Sequence, residues 1–155
     1  ATNLKVAGYH VYRQDEVSPQ GQAYRGLVVL VKRGVVHQPV PAVQLSALSA
    51  LGVELCIAGN PTRLYATYKP PQLRFQPGDM HTLLESNIPT AVAGDFNCKH
   101  TAWNSAHDCP NGRRLLRDAE AHGYEVEGPE TPTHYPAQTS YQPDVIDLIA
   151  HRGLP

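Results

Sequence analysis

The stretch Ile88-Pro89-Thr90-Ala91-Val92-Ala93-Gly94-Asp95-Phe96-Asn97 constrains the fold of this chain more than any other. Residues 88–93 form a short, nearly unbroken apolar run, the pattern of a strand buried on both faces inside a layered sheet. The run stops at Gly94-Asp95-x-Asn97. Open sheets place their chemistry just beyond the carboxyl ends of strands. Here that position carries a carboxylate and, two residues on, a side-chain amide. A carboxylate held at the end of a buried strand is partly desolvated and suits metal binding or orientation of an attacking water. Gly, Asp and Asn are equally the residues of an ordinary turn, so the motif gains meaning only from its company.

Before this stretch the chain reads as strands. Residues 8–13 alternate apolar with polar side chains, and residues 14–22 read as a polar loop containing Pro19 and Gly21. Residues 26–32 are β-branched and apolar throughout, a strand bounded by Gly26 and Gly34. Residues 45–58 are long and mostly apolar, and the alternation at 53–57 favours a strand over a helix. Gly59-Asn60-Pro61 turns that strand back into 62–68, a hairpin that Pro70-Pro71 ends because neither proline can donate to a ladder. A helix follows over 78–84 with Asp79 as its expected cap, leading into the central strand.

After Asn97 a polar loop spans 98–109 and holds the only tryptophan, Trp103. Pro110 opens a helix that ends at His122 and Gly123, in accord with the preference for proline at a helix start and glycine past its end. A short strand over 124–127, a Pro- and Thr-rich loop over 131–143 and an apolar strand over 144–150 complete the order. Strands first and then alternating helices and strands imply a mixed sheet layered with helices.

A length of 155 residues fits one domain with a sizeable core, and 41% hydrophobic with 17% charged residues suits a globular protein. The net charge of −1 neither favours nor excludes nucleic acid, since a basic patch can sit within a neutral total. Three cysteines cannot all pair, which points to a reduced, intracellular setting. No apolar run is long enough to span a bilayer, so no membrane partner is expected.

Three polar positions end or interrupt apolar strands: Tyr68, Asp95 with Asn97, and Asp147. Asp147 within Val145-Ile146-Asp147-Leu148-Ile149 is costly unless paired, bonded or turned to water at an edge. Cys98, His100, His107 and Cys109 offer a second reading as zinc ligands, although a single intervening residue within each pair is unusual for zinc. The competing reading is a polar loop anchored by Trp103. No Gly-rich phosphate loop and no Gly-x-Ser-x-Gly elbow is present.

The segments Tyr68-Lys69-Pro70-Pro71, Gly94-Asp95-Phe96-Asn97-Cys98-Lys99-His100-Thr101-x-Trp103 and Pro132-Thr133-x-Tyr135-Pro136 with Pro143-Asp144-x-Ile146-Asp147 resemble one family in order and spacing. They are similar to the endonuclease domains of non-LTR retrotransposons of the jockey and R1 kind, in the endonuclease/exonuclease/phosphatase superfamily. Gly8-Tyr9-x-x-Tyr12-Arg13, Gly26-Leu27-x-x-Leu30-Val31 and Asn111-Gly112-Arg113-x-Leu115 extend the resemblance along the whole chain.

The resemblance implies an α/β fold, a four-layered sandwich of two mixed β-sheets flanked by helices, in a single domain over 1–155. It implies a divalent-metal-dependent nuclease that nicks one strand of double-stranded DNA and leaves a 3′-hydroxyl to prime reverse transcription. By the same resemblance Asp95 orients or deprotonates water, Asn97 holds the scissile phosphate, Tyr68 hydrogen-bonds that phosphate and Asp147 orients a histidine. Asp95 and Asn97 would hold Mg²⁺ or Mn²⁺, which all-oxygen ligands favour over zinc. Lys69, Arg74, Lys99, His100 and Thr133 are the expected DNA contacts. The expected partners are the DNA duplex and a reverse transcriptase in the same polyprotein, acting in the nucleus. A DNA- or protein-binding module without catalysis and a phosphomonoesterase of the same superfamily are the alternatives. The family's Gln-Glu-Thr strand and its final Ser-Asp-His strand have no counterpart in this sequence, so the domain is expected to be incomplete at both ends.

Overall fold

Residues 4–154 are described by a computed structural model. The apolar hairpin of the sequence is β4 (Ser49–Ile57) and β5 (Asn60–Tyr68), paired antiparallel around the Ala58-Gly59 turn. Helix α1 (Pro77–Leu84) then carries the chain across to β6 (Thr90–Asp95), which lies parallel to β5. A parallel pair needs such a crossover, because a tight turn can join only antiparallel neighbours. Helix α2 (Pro110–His122), β7 (Glu125–Glu127) and β8 (Asp147–Arg152) follow. With β3 (His37–Pro39) at its edge, this gives a six-stranded mixed sheet of order β3-β4-β5-β6-β8-β7.

A separate antiparallel ribbon of β1 (Tyr9–Val17) and β2 (Ala23–Lys32) packs across β4 and β5. Both helices lie with the other face of the large sheet, α1 against β6 and α2 against β7. The architecture is an α/β sandwich, layered helix, sheet, ribbon among the described residues; the large sheet is mixed, whereas the ribbon is antiparallel alone. The main core sits between helices and sheet, where Val92, Phe96, Met80, Leu83, Leu115 and Trp103 are almost fully buried. Each such side chain contributes about 1.5–3 kcal/mol by leaving water. The outward face of the ribbon exposes Tyr9, Val28 and Leu30.

Several elements depart from expectation for identifiable reasons. Strand β1 runs on to Val17, through residues expected to be loop, because Glu16 pairs with Arg25 on β2 and also accepts from Ser49 on β4. Asp79 is not the cap of α1: Gln76 holds that position and Pro77 is the first helical residue. Asp79 is instead buried and accepts the backbone N–H groups of Ser46, Ala47 and Leu48 at 2.7, 2.8 and 2.9 Å. The carboxylate fixes that segment, so β4 begins only at Ser49. Strand β8 starts at Asp147 and continues to Arg152, three residues later than expected at its start.

Candidate active site

The large sheet brings three of the expected residues into one row. Tyr68 ends β5 and pairs in register with Asp95, the last residue of β6. Asp95 pairs in register with Asp147, the first residue of β8. Residues directly opposite on neighbouring strands point to the same face, so the phenol and both carboxylates share one side of the sheet. That side faces the ribbon, for the Arg25 guanidinium stands 5.5 Å from the Tyr68 ring centroid. The ribbon covers β4 and β5 and leaves Ala93 and Asp147 exposed. Of the alternatives its apolar neighbours left open, Asp147 takes exposure: as the first residue of β8 it turns to water.

The backbone at Asp95 explains the Gly-Asp-x-Asn pattern. Gly94 has φ of +149°, and a Cβ there would lie 1.9 Å from the Thr67 carbonyl oxygen on β5. Only glycine fits that approach. Asn97 sits in the left-handed region at φ of +45°, which asparagine tolerates better than most residues. From there its backbone N–H reaches Asp95 Oδ1 at 2.9 Å, and its Nδ2 donates to the Lys69 carbonyl at 2.9 Å. The motif is thus both a turn and a device for fixing two polar side chains.

Burial raises the proton affinity of Asp95, the Asn97 N–H opposes that rise, and the neighbouring Asp147 carboxylate adds to it. His134 and Lys69 favour the anion. His134, unassigned in the sequence reading, is thus an electrostatic neighbour of Asp95. It lies on the loop that Asp144 secures: His134 and Asp144 exchange backbone hydrogen bonds at 3.0 and 2.9 Å.

The expected DNA contacts divide. Lys69 is fully buried, and its ammonium donates to the carbonyls of Pro70 and Leu73, each at 2.9 Å. Burial lowers its proton affinity. It braces the Pro70-Pro71 turn and cannot reach a phosphate, which corrects its assignment. His100 accepts the Ala102 N–H at Nδ1 and faces Asp108 at 3.6 Å, so it caps a 3₁₀ turn at Thr101–Trp103 and offers little to DNA. Thr133 accepts from the backbone N–H of Ile146 and Asp147 at 3.2 and 3.1 Å and so holds the start of β8. Arg74 is exposed, and Lys99 is half-buried with Nζ 2.9 Å from Asp144 Oδ2. Both line a groove of about 500 Å³ beside Asn97, with His107 and Arg114. Arg114 was missed, because helical spacing alone does not distinguish it from its neighbours Arg113 and Arg117.

The buried acid of this region is Asp144, with 2% of its side chain exposed. It accepts the N–H groups of Ala106 and Val145, each at 2.9 Å, as well as the Lys99 ammonium. The zinc reading of the loop fails on placement. Cys98 is buried in the core, where desolvation pushes its thiol up to about 12. Cys109 Sγ accepts from Lys99 and Gly112 N–H and caps α2. Trp103 is the anchor instead, 1% exposed and donating from Nε1 to the Cys98 carbonyl at 2.8 Å.

A sandwich with polar residues gathered at the ends of its central strands is the architecture of an endonuclease/exonuclease/phosphatase domain. The endonuclease domain of TRAS1, a telomere-specific non-LTR retrotransposon, superposes with a TM-score of 0.74 at 15% identity, over 94% of this chain and 67% of that one. The model of the endonuclease-reverse transcriptase family matches residues 62–152, and the chain belongs to that family. It is 28% identical over 152 residues to the RNA-directed DNA polymerase from mobile element jockey of Drosophila melanogaster. It is 25% identical over 158 aligned residues to the probable RNA-directed DNA polymerase from transposon X-element of the same organism. These alignments cover 97% and 99% of this chain but only 16% and 17% of the two relatives.

Proposed function

We propose that the chain nicks one strand of target DNA and leaves a 3′-hydroxyl from which a retroelement primes reverse transcription. The observation that carries this reading is the row Tyr68, Asp95 and Asp147 on three adjacent strand ends. Asp95 has a raised proton affinity, which suits a base that takes a proton from an attacking water. The Tyr68 hydroxyl and the Asn97 amide are donors for the non-bridging oxygens of a phosphodiester, where charge grows during attack. Thr133 holds Asp147 at the edge of the row.

The donors here are carboxylate and carboxamide oxygens, and two carboxylates on neighbouring register positions repel one another. Such a set fits Mg²⁺ or Mn²⁺, which take one or two carboxylates and retain waters for the substrate to displace. Asp95 and Asn97 would hold the ion, whose chemistry is to offset the charge of the phosphate under attack. Arg74, Lys99 and Arg114 along the groove beside Asn97 supply the positive charge that positions a duplex backbone. The names of the two Drosophila relatives support a reverse transcriptase as the covalent partner, and action in the nucleus is part of the same proposal.

Nicking of supercoiled plasmid with Mg²⁺, run beside EDTA and Asp95→Ala controls, tests the proposal. Open-circle product that vanishes in both controls supports it. Intact plasmid with folded protein that still retards duplex DNA would favour a binding module instead.

A further inference from the structure

A second polar cluster lies away from the strand ends, where α1 meets α2. His81 projects from α1, and Asp118 and His122 stand one turn apart on α2. His81 Nε2 is 3.1 Å and His122 Nδ1 2.9 Å from the same oxygen, Asp118 Oδ1. The two imidazole centroids are 4.1 Å apart, and the three ligand atoms all lie within 4.8 Å of one another.

We propose that His81, Asp118 and His122 form a zinc site that fastens α1 to α2, separate from the Asp95 site. Two imidazoles and a carboxylate are a donor set that Zn²⁺ prefers and Mg²⁺ does not. Tetrahedral zinc at its usual bond lengths separates its ligand atoms by about 3.3 Å. Two of the three spacings come close to that, and an ion would draw His122 Nδ1 away from the Asp118 backbone carbonyl, which lies 3.1 Å from it. The outer partner of the carboxylate is built in as well: the Tyr124 hydroxyl donates to Asp118 Oδ2 at 2.6 Å, leaving Oδ1 to the imidazoles. An oriented carboxylate with its second oxygen already bonded is the kind of support that metal ligands receive in proteins. Asp118 has 4% of its side chain exposed, whereas His81 and His122 have 44% and 47%. The carboxylate therefore forms a floor and the half-exposed imidazoles form walls. His122 also lies in the last turn of α2, where the helix dipole favours a cation.

A second such group among the described residues, Glu125, Glu127 and His151, lacks that floor. Its two glutamates are 77% and 64% exposed. It serves as the control.

The test is titration of metal-free protein with Zn²⁺ by calorimetry, with the thermal midpoint followed in parallel. The expected result is one tight equivalent and a midpoint that rises with zinc. His81→Ala and His122→Ala each weaken binding by more than about tenfold, and Tyr124→Phe weakens it by about tenfold or more through loss of the outer hydrogen bond. His81 and His122 are half-exposed, so the folded state of their variants is checked by circular dichroism before titration. His151→Ala and Asp95→Ala retain the tight equivalent. Zinc binding that survives His81→Ala and His122→Ala, binding abolished instead by His151→Ala or Asp95→Ala, or no binding by folded protein, would each overturn the proposal.

Discussion

The Asn97 side-chain amide donates to the backbone carbonyl of Lys69 at 2.9 Å, tying the chain just after β5 to the turn after β6. The same residue caps Asp95 through its backbone N–H. Its side-chain oxygen accepts no hydrogen bond among the described residues, and the residue lines the groove shared with Arg74 and Lys99. Asn97→Ala is expected to lower the nicking rate by about 10²–10³-fold, the scale of losing one charge-stabilising group in an active site. Its stability cost is about 1 kcal/mol for the hydrogen bond and about 1–2 kcal/mol more for holding alanine at the left-handed φ of +45°. Steady-state nicking rates and urea melts of the same preparation separate the two effects.

Asp95 couples stability to pH in the direction opposite to most carboxylates. Burial raises its folded proton affinity, and Asp147 adds to the rise. The stability this contributes is present below the ordinary carboxylate range and is lost as pH rises through the elevated folded value. Asp95→Asn should therefore melt at a higher temperature than the parent at neutral pH in EDTA, with the gap closing in acid. Nicking by Asp95→Asn should fall by about 10²-fold or more. A variant that melts lower at neutral pH would contradict the repulsion between the two carboxylates.

Much of this site was legible in the residue order. The apolar run before Asp95 and the proline pair after Tyr68 fix where two strands end, and the sheet then sets those ends side by side. Asp147 joins the same row as an exposed residue, one of the readings left open, because strand periodicity cannot say which acid of Asp144-Val145-Ile146-Asp147 meets water. Lys69 was unreadable for a related reason. A lysine before two prolines looks like a loop charge, and only tertiary folding shows that the carbonyls of Pro70 and Leu73 draw its ammonium inward. The β1–β2 ribbon outran its expected length because Glu16 found Arg25 across the ladder. The clustering of His81 with His122 depends on how two helices pack, which their separate sequences do not encode.

Charge in the groove gives a third prediction, with Lys69 as its contrast. Arg74→Ala and Arg114→Ala should each weaken duplex binding across all sequences and reduce the slope of log affinity against log salt by about 1. Lys69→Met should leave that slope unchanged, since its ammonium is buried. It should destabilise the fold, because the carbonyls it satisfies lose a donor, at about 1–3 kcal/mol. Fluorescence anisotropy at several salt concentrations, with melts alongside, distinguishes a phosphate contact from an internal brace.

Asp144 carries the fourth. Burial opposes its ionisation, but the Ala106 N–H, the Lys99 ammonium and the Val145 N–H outweigh that cost and hold the carboxyl below its ordinary range. A depressed folded value contributes stability above the ordinary carboxylate range, lost as pH falls through the folded value. Asp144→Ala leaves two backbone donors without their acceptor, and each costs about 1–3 kcal/mol where water cannot replace it. For a chain of this size each kcal/mol lowers the melting midpoint by about 2–4 °C. The deficit should be largest at neutral pH and shrink in acid, where the parent carboxylate is protonated and has given up the same interactions. The loop bearing Thr133 and His134 hangs on the backbone of Asp144, and Thr133 holds Asp147 in the row. Nicking by Asp144→Ala should consequently fall at temperatures well below its melting midpoint. A variant that melts early but nicks normally in the cold would show that the loop keeps its place without the carboxylate, and that the row of Tyr68, Asp95 and Asp147 depends on the sheet alone.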